Sequence, residues 1–227
     1  MIAVNRTNIL VLTIPRTGTH FTNYFLFECE GRIVPVEYDD WIAGNNPISY
    51  TPDHCLVWQH FDNQTMTRVN AMLADDPDLR IVVPMRDLVD SFISAKLMRH
   101  DAFLPSLQSF IDNIDAILHY KFLIDGKKSK KKELEDLITY CGVIKSDKFA
   151  KYELWPDINS VRPLDTETEM NAVLIRNIYD DAKDKYLNGD INGLRGYVPE
   201  IDALINNETV KLKMKEFGYT KSDLSWL

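Results

Sequence analysis

Two spacings of apolar residues alternate along the first hundred positions. Asn8-Ile9-Leu10-Val11-Leu12-Thr13-Ile14, Cys55-Leu56-Val57-Trp58 and Arg80-Ile81-Val82-Val83-Pro84-Met85 are short apolar runs. Runs of that length and β-branched content are what strands buried on both faces require. Arg32-Ile33-Val34-Pro35-Val36-Glu37 predicts a further short strand, which Pro35 confines to a sheet edge. Between these runs the spacing turns helical. His20 to Glu30 predicts a helix closed by Gly31, Asn63 to Ala74 one with Met66, Val69 and Leu73 on a single face and Asp62 or Asn63 as cap, and Asp87 to Arg99 a third. The stretch from Tyr38 to Asp53, with Trp41, Gly44, Asn45, Asn46, Pro47, Ser49, Tyr50 and Pro52, predicts a long loop. This order predicts an α/β protein with a central, mostly parallel sheet flanked by helices, whose ligands bind at the C-terminal ends of the strands.

The second half is predicted to be mainly helical. Pro105 to Phe122 carries Leu107, Phe110, Ile111, Ile114, Ile117 and Leu118 on one face, and Glu133 to Tyr140 ends at Cys141-Gly142. Thr166-Glu167-Thr168-Glu169 is a capping box that opens a helix to Leu187. Asn188 to Gly196 predicts a loop, and Asn207-Glu208 opens a last helix to Phe217, stopped by Gly218. Lys127-Lys128-Ser129-Lys130-Lys131-Lys132 predicts a solvated loop. Neither an internal repeat nor a linker divides the chain, so residues 1–227 are expected to form one domain.

Composition narrows the possible partners. A chain of 227 residues buries a sizeable core without added staples. Its net charge of −8 argues against general affinity for nucleic acid or anionic membrane, so an anionic ligand needs a local cationic site. Cys29, Cys55 and Cys141 are odd in number and widely spaced, which suggests neither a disulfide framework nor a CxxC metal site. The N-terminus lacks a basic region followed by an apolar core, and no run of about 18 apolar residues occurs. The expectation is a soluble, cytoplasmic protein of open oligomeric state.

The chemistry concentrates at Pro15-Arg16-Thr17-Gly18-Thr19, between the first strand and its helix. Strand, tight loop and helix together aim backbone N–H groups and the positive helix end at one anion, for which phosphate is the natural guest. A nucleotide-binding GxxxxGK[ST] loop would place Lys after the second glycine; here Thr19-His20 follows Gly18 and the cation, Arg16, precedes it. This loop resembles the 5′-phosphosulfate loop of sulfotransferases that use 3′-phosphoadenosine 5′-phosphosulfate, P-[KR]-[ST]-G-[ST]-[ST], in five of six positions. Arg86-Asp87-Leu88-Val89-Asp90-Ser91-Phe92-Ile93-Ser94 resembles the same family's second signature, an Arg after a strand and a Ser eight residues on, which together grip the 3′-phosphate. Looser likenesses are Trp58-Gln59-His60 at the place of a general base, Tyr120 to Asp125 with Leu137 to Gly142, and Lys215 to Tyr219. His20 stands where the family has a hydroxyl and Leu88 where it has Pro. The late glycine-rich element that covers the nucleotide has only Gly193-Leu194-Arg195-Gly196 as a partial counterpart.

The resemblance implies a P-loop-like three-layer sandwich and transfer of a sulfuryl group to a hydroxyl or amine, with 3′-phosphoadenosine 5′-phosphate as product and no metal. It implies cofactor contacts from Arg16, Thr17, Gly18, Thr19, His20, Arg86, Ser94 and Arg195. Arg16 would stabilise charge on the leaving phosphate, and His60, or His20 as the competing base, would take the acceptor proton. His54, His100 and His119 are bystanders, and Trp41, Tyr50 and Trp58 are pocket aromatics or structural anchors. The acceptor, whether small molecule, lipid or carbohydrate, is not specified by any motif. A magnesium-dependent small-molecule or nucleotide kinase and a non-catalytic nucleotide-binding protein are the alternatives.

Overall fold

The structure is a computed structural model that describes residues 8–30, 36–44, 55–97, 101–124, 130–143 and 166–227. Among the described residues, five strands, β1 (Ile9–Thr13), β2 (Val36–Glu37), β3 (Leu56–His60), β4 (Arg80–Met85) and β5 (Tyr120–Leu123), form one sheet in the order β2-β3-β1-β4-β5. All four pairings are parallel, with Thr13 opposite His60 and Val11 opposite Val82. The helices are α1 (Thr19–Glu30), α2 (Tyr38–Ile42), α3 (Thr65–Asp75), α4 (Leu88–Leu97), α5 (Phe103–Asn113), α6 (Lys130–Cys141), α7 (Thr166–Leu187), α8 (Ile191–Arg195), α9 (Asp202–Ile205) and α10 (Glu208–Phe217). The expected α/β architecture of a parallel sheet flanked by helices, with a helical C-terminal half, is what the chain forms.

Strand alternation divides the apolar residues into two cores. Ile9, Val11, Leu56, Val82 and Phe122 face Phe25, Leu26 and Cys29 of α1 and Leu134, Leu137 and Cys141 of α6. Leu10, Leu12, Val57, Ile81 and Val83 face the other way, toward Val69 of α3, Phe92 of α4, Phe110 of α5, Ala182 of α7 and Met214 of α10. Both faces of β1 are therefore covered, which is why its sequence is an unbroken apolar run. The three cysteines are buried within these layers as free thiols, and burial pushes the Cys55 thiol up to about 12. Among the described residues, no helix is long and apolar enough to cross a membrane.

Several local expectations need correction. Residues 105–122 are not one helix: α5 ends at Asn113, a single 3-10 turn spans Ile114–Ala116, Ile117 is extended, and Tyr120–Leu123 pairs with β4 as β5. Tyr120 and Phe122 have strand propensity, and the bare edge of β4 satisfies a backbone that helical spacing alone would have continued. Tyr120 to Leu123 is thus strand, not part of a helical stretch. The expected loop from 38 begins instead with α2, whose Tyr38 is buried and carries Arg68 over its ring at 5.0 Å. The expected loop 188–196 contains α8, started by the Asp190 carboxylate accepting from the Gly193 N–H at 2.8 Å. In the predicted strand 32–37, positions 32–35 lie outside the described residues and Val36–Glu37 is β2. His54, His100, Tyr50 and Lys127 to Ser129 also lie outside them, as does the side chain of Trp41, while Lys130–Lys132 open α6.

Candidate functional site

In the strand order, β1 stands between β3 and β4, so the chain segments that follow these three strands emerge side by side at one sheet edge. In doubly wound sheets that edge is where ligands bind. After β1 the backbone turns sharply: Thr17 N–H and Thr17 Oγ1 both donate to Ile14 O, at 3.2 and 2.8 Å. Arg16 has φ of +70° and Gly18 of +110°. The left-handed conformation costs Arg16 on the order of 1–2 kcal/mol. Two contacts with α4 offset it: Ser91 Oγ donates to Arg16 O at 3.4 Å, and Arg16 Nε donates to Ser94 Oγ at 3.0 Å. Gly18 sits beneath Ile124, just past β5, whose Cδ1 occupies the space that a Cβ on Gly18 would need. The first helical bond of α1 is Thr22 N–H to Gly18 O at 3.0 Å, so the donor end of the helix opens at this loop. His20 is exposed on that first turn.

Thr13 continues the β1 face formed by Ile9 and Val11, which turns its hydroxyl toward α1 and the adjacent end of β3. Thr19 Oγ1 donates to Thr13 Oγ1 at 2.9 Å, and Thr13 Oγ1 lies 2.8 Å from His60 Nδ1 and 3.4 Å from Gln59 O. The single Thr13 proton has two places to go. On His60 Nδ1 it leaves the imidazole N–H at Nε2; turned to Gln59 O, it lets His60 donate through Nδ1 and carry its lone pair at Nε2. The second arrangement makes Nε2 a base, and it also suits imidazolium. Trp58 meets the His60 ring edge-on, with centroids 5.4 Å apart. His119, by contrast, precedes β5 at the opposite sheet edge and donates through Nδ1 to Ile117 O at 2.6 Å.

After β4, Arg86 does not meet Ser94. Arg86 Nη2 donates to Asp90 Oδ2, while Ser94, the next turn on the same helix face, is held by Arg16. The two arginines are thereby fixed on successive turns of α4, where side-chain bases lie about 5–6 Å apart. Tyr179 OH donates to Asp90 Oδ1 at 2.7 Å and Lys183 Nζ lies 3.3 Å from the same oxygen, both from α7. Burial is the largest single influence and works against the Lys183 charge, but the Asp90 carboxylate and Tyr179 together outweigh it, and the ammonium holds its proton more tightly than a free lysine. Asp87 caps α4 by accepting from Val89 N–H at 2.9 Å, and its other oxygen accepts from Tyr186 OH at 2.7 Å.

Arg16, Thr17, Gly18, Thr19, His20, His60, Arg86 and Ser94 therefore all lie in the segments at this edge. Arg195 is engaged elsewhere: its guanidinium forks onto Asp202, with Nε to Oδ2 at 2.8 Å and Nη2 to Oδ1 at 2.9 Å. The residues that motif reading passes over are Thr13, Ser91, Tyr179 and Lys183. The α7 pair does leave a trace in the sequence, since Tyr179, Lys183 and Tyr186 repeat at helical spacing as polar groups on a face that packs against α4. No family model and no curated protein matches this chain.

Proposed function

We propose that this protein is a sulfotransferase that moves a sulfuryl group from 3′-phosphoadenosine 5′-phosphosulfate to a hydroxyl or amine of a small-molecule, lipid or carbohydrate acceptor. One observation carries the reading. Arg16 and Arg86 are held on successive turns of α4, through Ser94 and Asp90, beside the donor end of α1. Two guanidiniums fixed from different segments beside that helix end can each meet an anionic group, as a nucleotide with two phosphate groups requires.

The donor set fits such a nucleotide. The Thr17 N–H is committed to Ile14 O, so the Gly18 and Thr19 N–H groups and the start of α1 would hold the 5′-phosphate, and Arg86 the 3′-phosphate. When bound, the cofactor supplies an SO3 unit: its S–O bond to the 5′-phosphate breaks as a bond from sulfur to the acceptor forms, and the electron pair stays on the phosphate oxygen. Arg16 donates to that oxygen as charge grows on it. His60, in the Nδ1–H tautomer that Thr13 permits, takes the acceptor proton at Nε2. Thr13 accepts from Nδ1 throughout, which holds the ring in place and supports the imidazolium.

Calorimetry with 3′-phosphoadenosine 5′-phosphate tests the reading. Wild-type protein should bind it, and Arg16→Ala and Arg86→Ala should each weaken binding about tenfold or more. His60→Ala should retain binding and lose about 10²–10⁴-fold in transfer of labelled sulfuryl groups. Absence of binding, or binding indifferent to both arginines, overturns the proposal.

A further inference from the structure

We propose that His119 is an acid-sensitive latch between the start of β5 and the end of α10, closed by the neutral imidazole and opened when the ring takes up a proton. The inference concerns the sheet edge opposite the candidate site and does not depend on the reaction proposed there. His119 Nδ1 lies 2.6 Å from Ile117 O; since a carbonyl only accepts, the neutral ring carries its hydrogen at Nδ1 and a lone pair at Nε2. Nε2 is buried and meets no hydrogen-bond partner among the described residues. The ring stacks on Phe217 of α10, with centroids 6.1 Å apart and planes inclined by 16°. Leu118 is 92% exposed and Ile117 is buried, so Ile117 and His119 are the side chains that seat this turn.

A second proton turns the orphaned acceptor at Nε2 into a charged N–H with no acceptor and no water beside it. The charged groups around the ring do not offset this. Lys121 of β5 is itself a cation; it donates to Glu216 O at 2.7 Å and lies over the Phe217 ring at 5.2 Å. Asp115, on the turn after α5, and Glu216 of α10 are both engaged by Lys213 of α10, whose Nζ lies 2.6 and 2.7 Å from the two Asp115 oxygens and 3.0 Å from Glu216 Oε2. Burial holds the imidazole below its ordinary value of 6.5, outweighing the Ile117 bond that favours the charged ring; Lys121 works with burial and Asp115 against it. The protonated ring nevertheless has a way out. A cavity of about 210 Å³ lies beside it, walled by Asp115, Lys121, Glu216 and Phe217. Turned into that cavity, the imidazolium gains water and the two carboxylates and gives up its place on Phe217. The opened ring binds its proton at the ordinary value and the closed ring below it, so the latch is intact above pH 6.5 and is lost as pH falls beneath it.

NMR on the full chain with labelled histidine tests the latch. His119 should be the Nδ1–H tautomer at pH 7.5 and take up its proton with a midpoint below 6.5; a midpoint at or above 6.5 overturns the proposal. Amide hydrogen exchange reads the opening. Between pH 7.5 and 5.5 the protection factors of the Tyr120–Leu123 amides, and of Gly218 and Tyr219 at the end of α10, should fall about threefold to tenfold, while those of β1 hold constant. His119→Phe keeps a ring on Phe217 that cannot be protonated, so the same amides should change by less than about twofold. Protection that ignores pH in the wild type, or that falls equally in His119→Phe, overturns the latch. Should the variant not fold, the wild-type fall must follow the His119 titration curve, and a fall centred at another pH overturns it as well.

Discussion

Thr13 is a small residue on which the proposed chemistry depends. Its hydroxyl is the meeting point of Thr19, His60 and Gln59, and only one of its two proton positions leaves His60 Nε2 with a lone pair. Thr13→Val keeps the shape of the side chain and removes the acceptor for Nδ1–H. Since Thr13 touches neither ligand in this scheme, the expected result is a fall in kcat of about tenfold to a hundredfold with KM for the nucleotide unchanged. Thr13→Ser, which restores the hydroxyl, should recover most of the rate. Equal losses in both variants would mean that the threonine only packs. The same residue illustrates what sequence patterns omit. A threonine at the end of an apolar strand has the β-propensity expected there, and its role arises from a neighbour 47 positions away.

At the level of elements, the turn between β1 and α1 is held from three sides: by Ile14 O beneath, by Ser91 and Ser94 of α4, and by Ile124 beyond β5. Gly18→Ala meets two obstacles, a backbone at φ +110° that an L-residue rarely adopts and a Cβ placed on Ile124 Cδ1. The substitution should cost roughly 2–4 kcal/mol, the sum of a strained backbone and an overpacked contact. Ile124→Ala removes only the second obstacle, so the double variant should be more stable than additivity predicts, by about 1 kcal/mol or more in urea unfolding, yet below wild type. Strict additivity would show that Ile124 does not shape the loop. β1, β4, α7 and α10 were legible because each carries a complete local signal: a continuous apolar run in the strands, a capping box at Thr166–Glu169, and Asn207 with Gly218 bracketing the last helix. β5 was not, because its four residues follow a helical periodicity and owe their conformation to the open edge of β4. α8 and α9 are too short for spacing to reveal. In the site, the two arginines were legible as motif positions, but their partners were not. Arg86 finds Asp90 four residues on in its own segment, whereas Arg16 finds Ser94 only after α4 has folded against the loop.

Across the whole molecule, α7 fastens the helical second half to the edge that carries the site. Its two tyrosines grip the start of α4 in parallel, Tyr179 on Asp90 and Tyr186 on Asp87, and Trp226 near the C-terminus donates to Tyr186 OH at 3.0 Å. Asp87 also caps α4, so the tie and the cap share one buried carboxylate. Tyr186→Phe leaves an Asp87 oxygen and the Trp226 N–H without their hydroxyl partner. The loss of these two bonds, the one to Asp87 charge-assisted, should lower unfolding stability by about 1–3 kcal/mol. A pH signature separates this from simple repacking. Burial, followed by the nearby Asp87 charge, raises the Tyr186 phenol above its ordinary value of 10. An acid whose folded pKa exceeds its unfolded pKa contributes stability that is complete below pH 10. That contribution is lost as pH rises further, because the unfolded chain releases its proton first. Wild type should therefore lose stability from about pH 10 upward more steeply than Tyr186→Phe, with the gap between them constant from pH 6 to 9. Unfolding curves at pH 7, 9 and 10.5 decide it. Parallel alkaline limbs for the two proteins would show that Tyr186 is not held in the protonated form by its buried place beside Asp87, and would leave Tyr179 on Asp90 as the tie between α7 and the site.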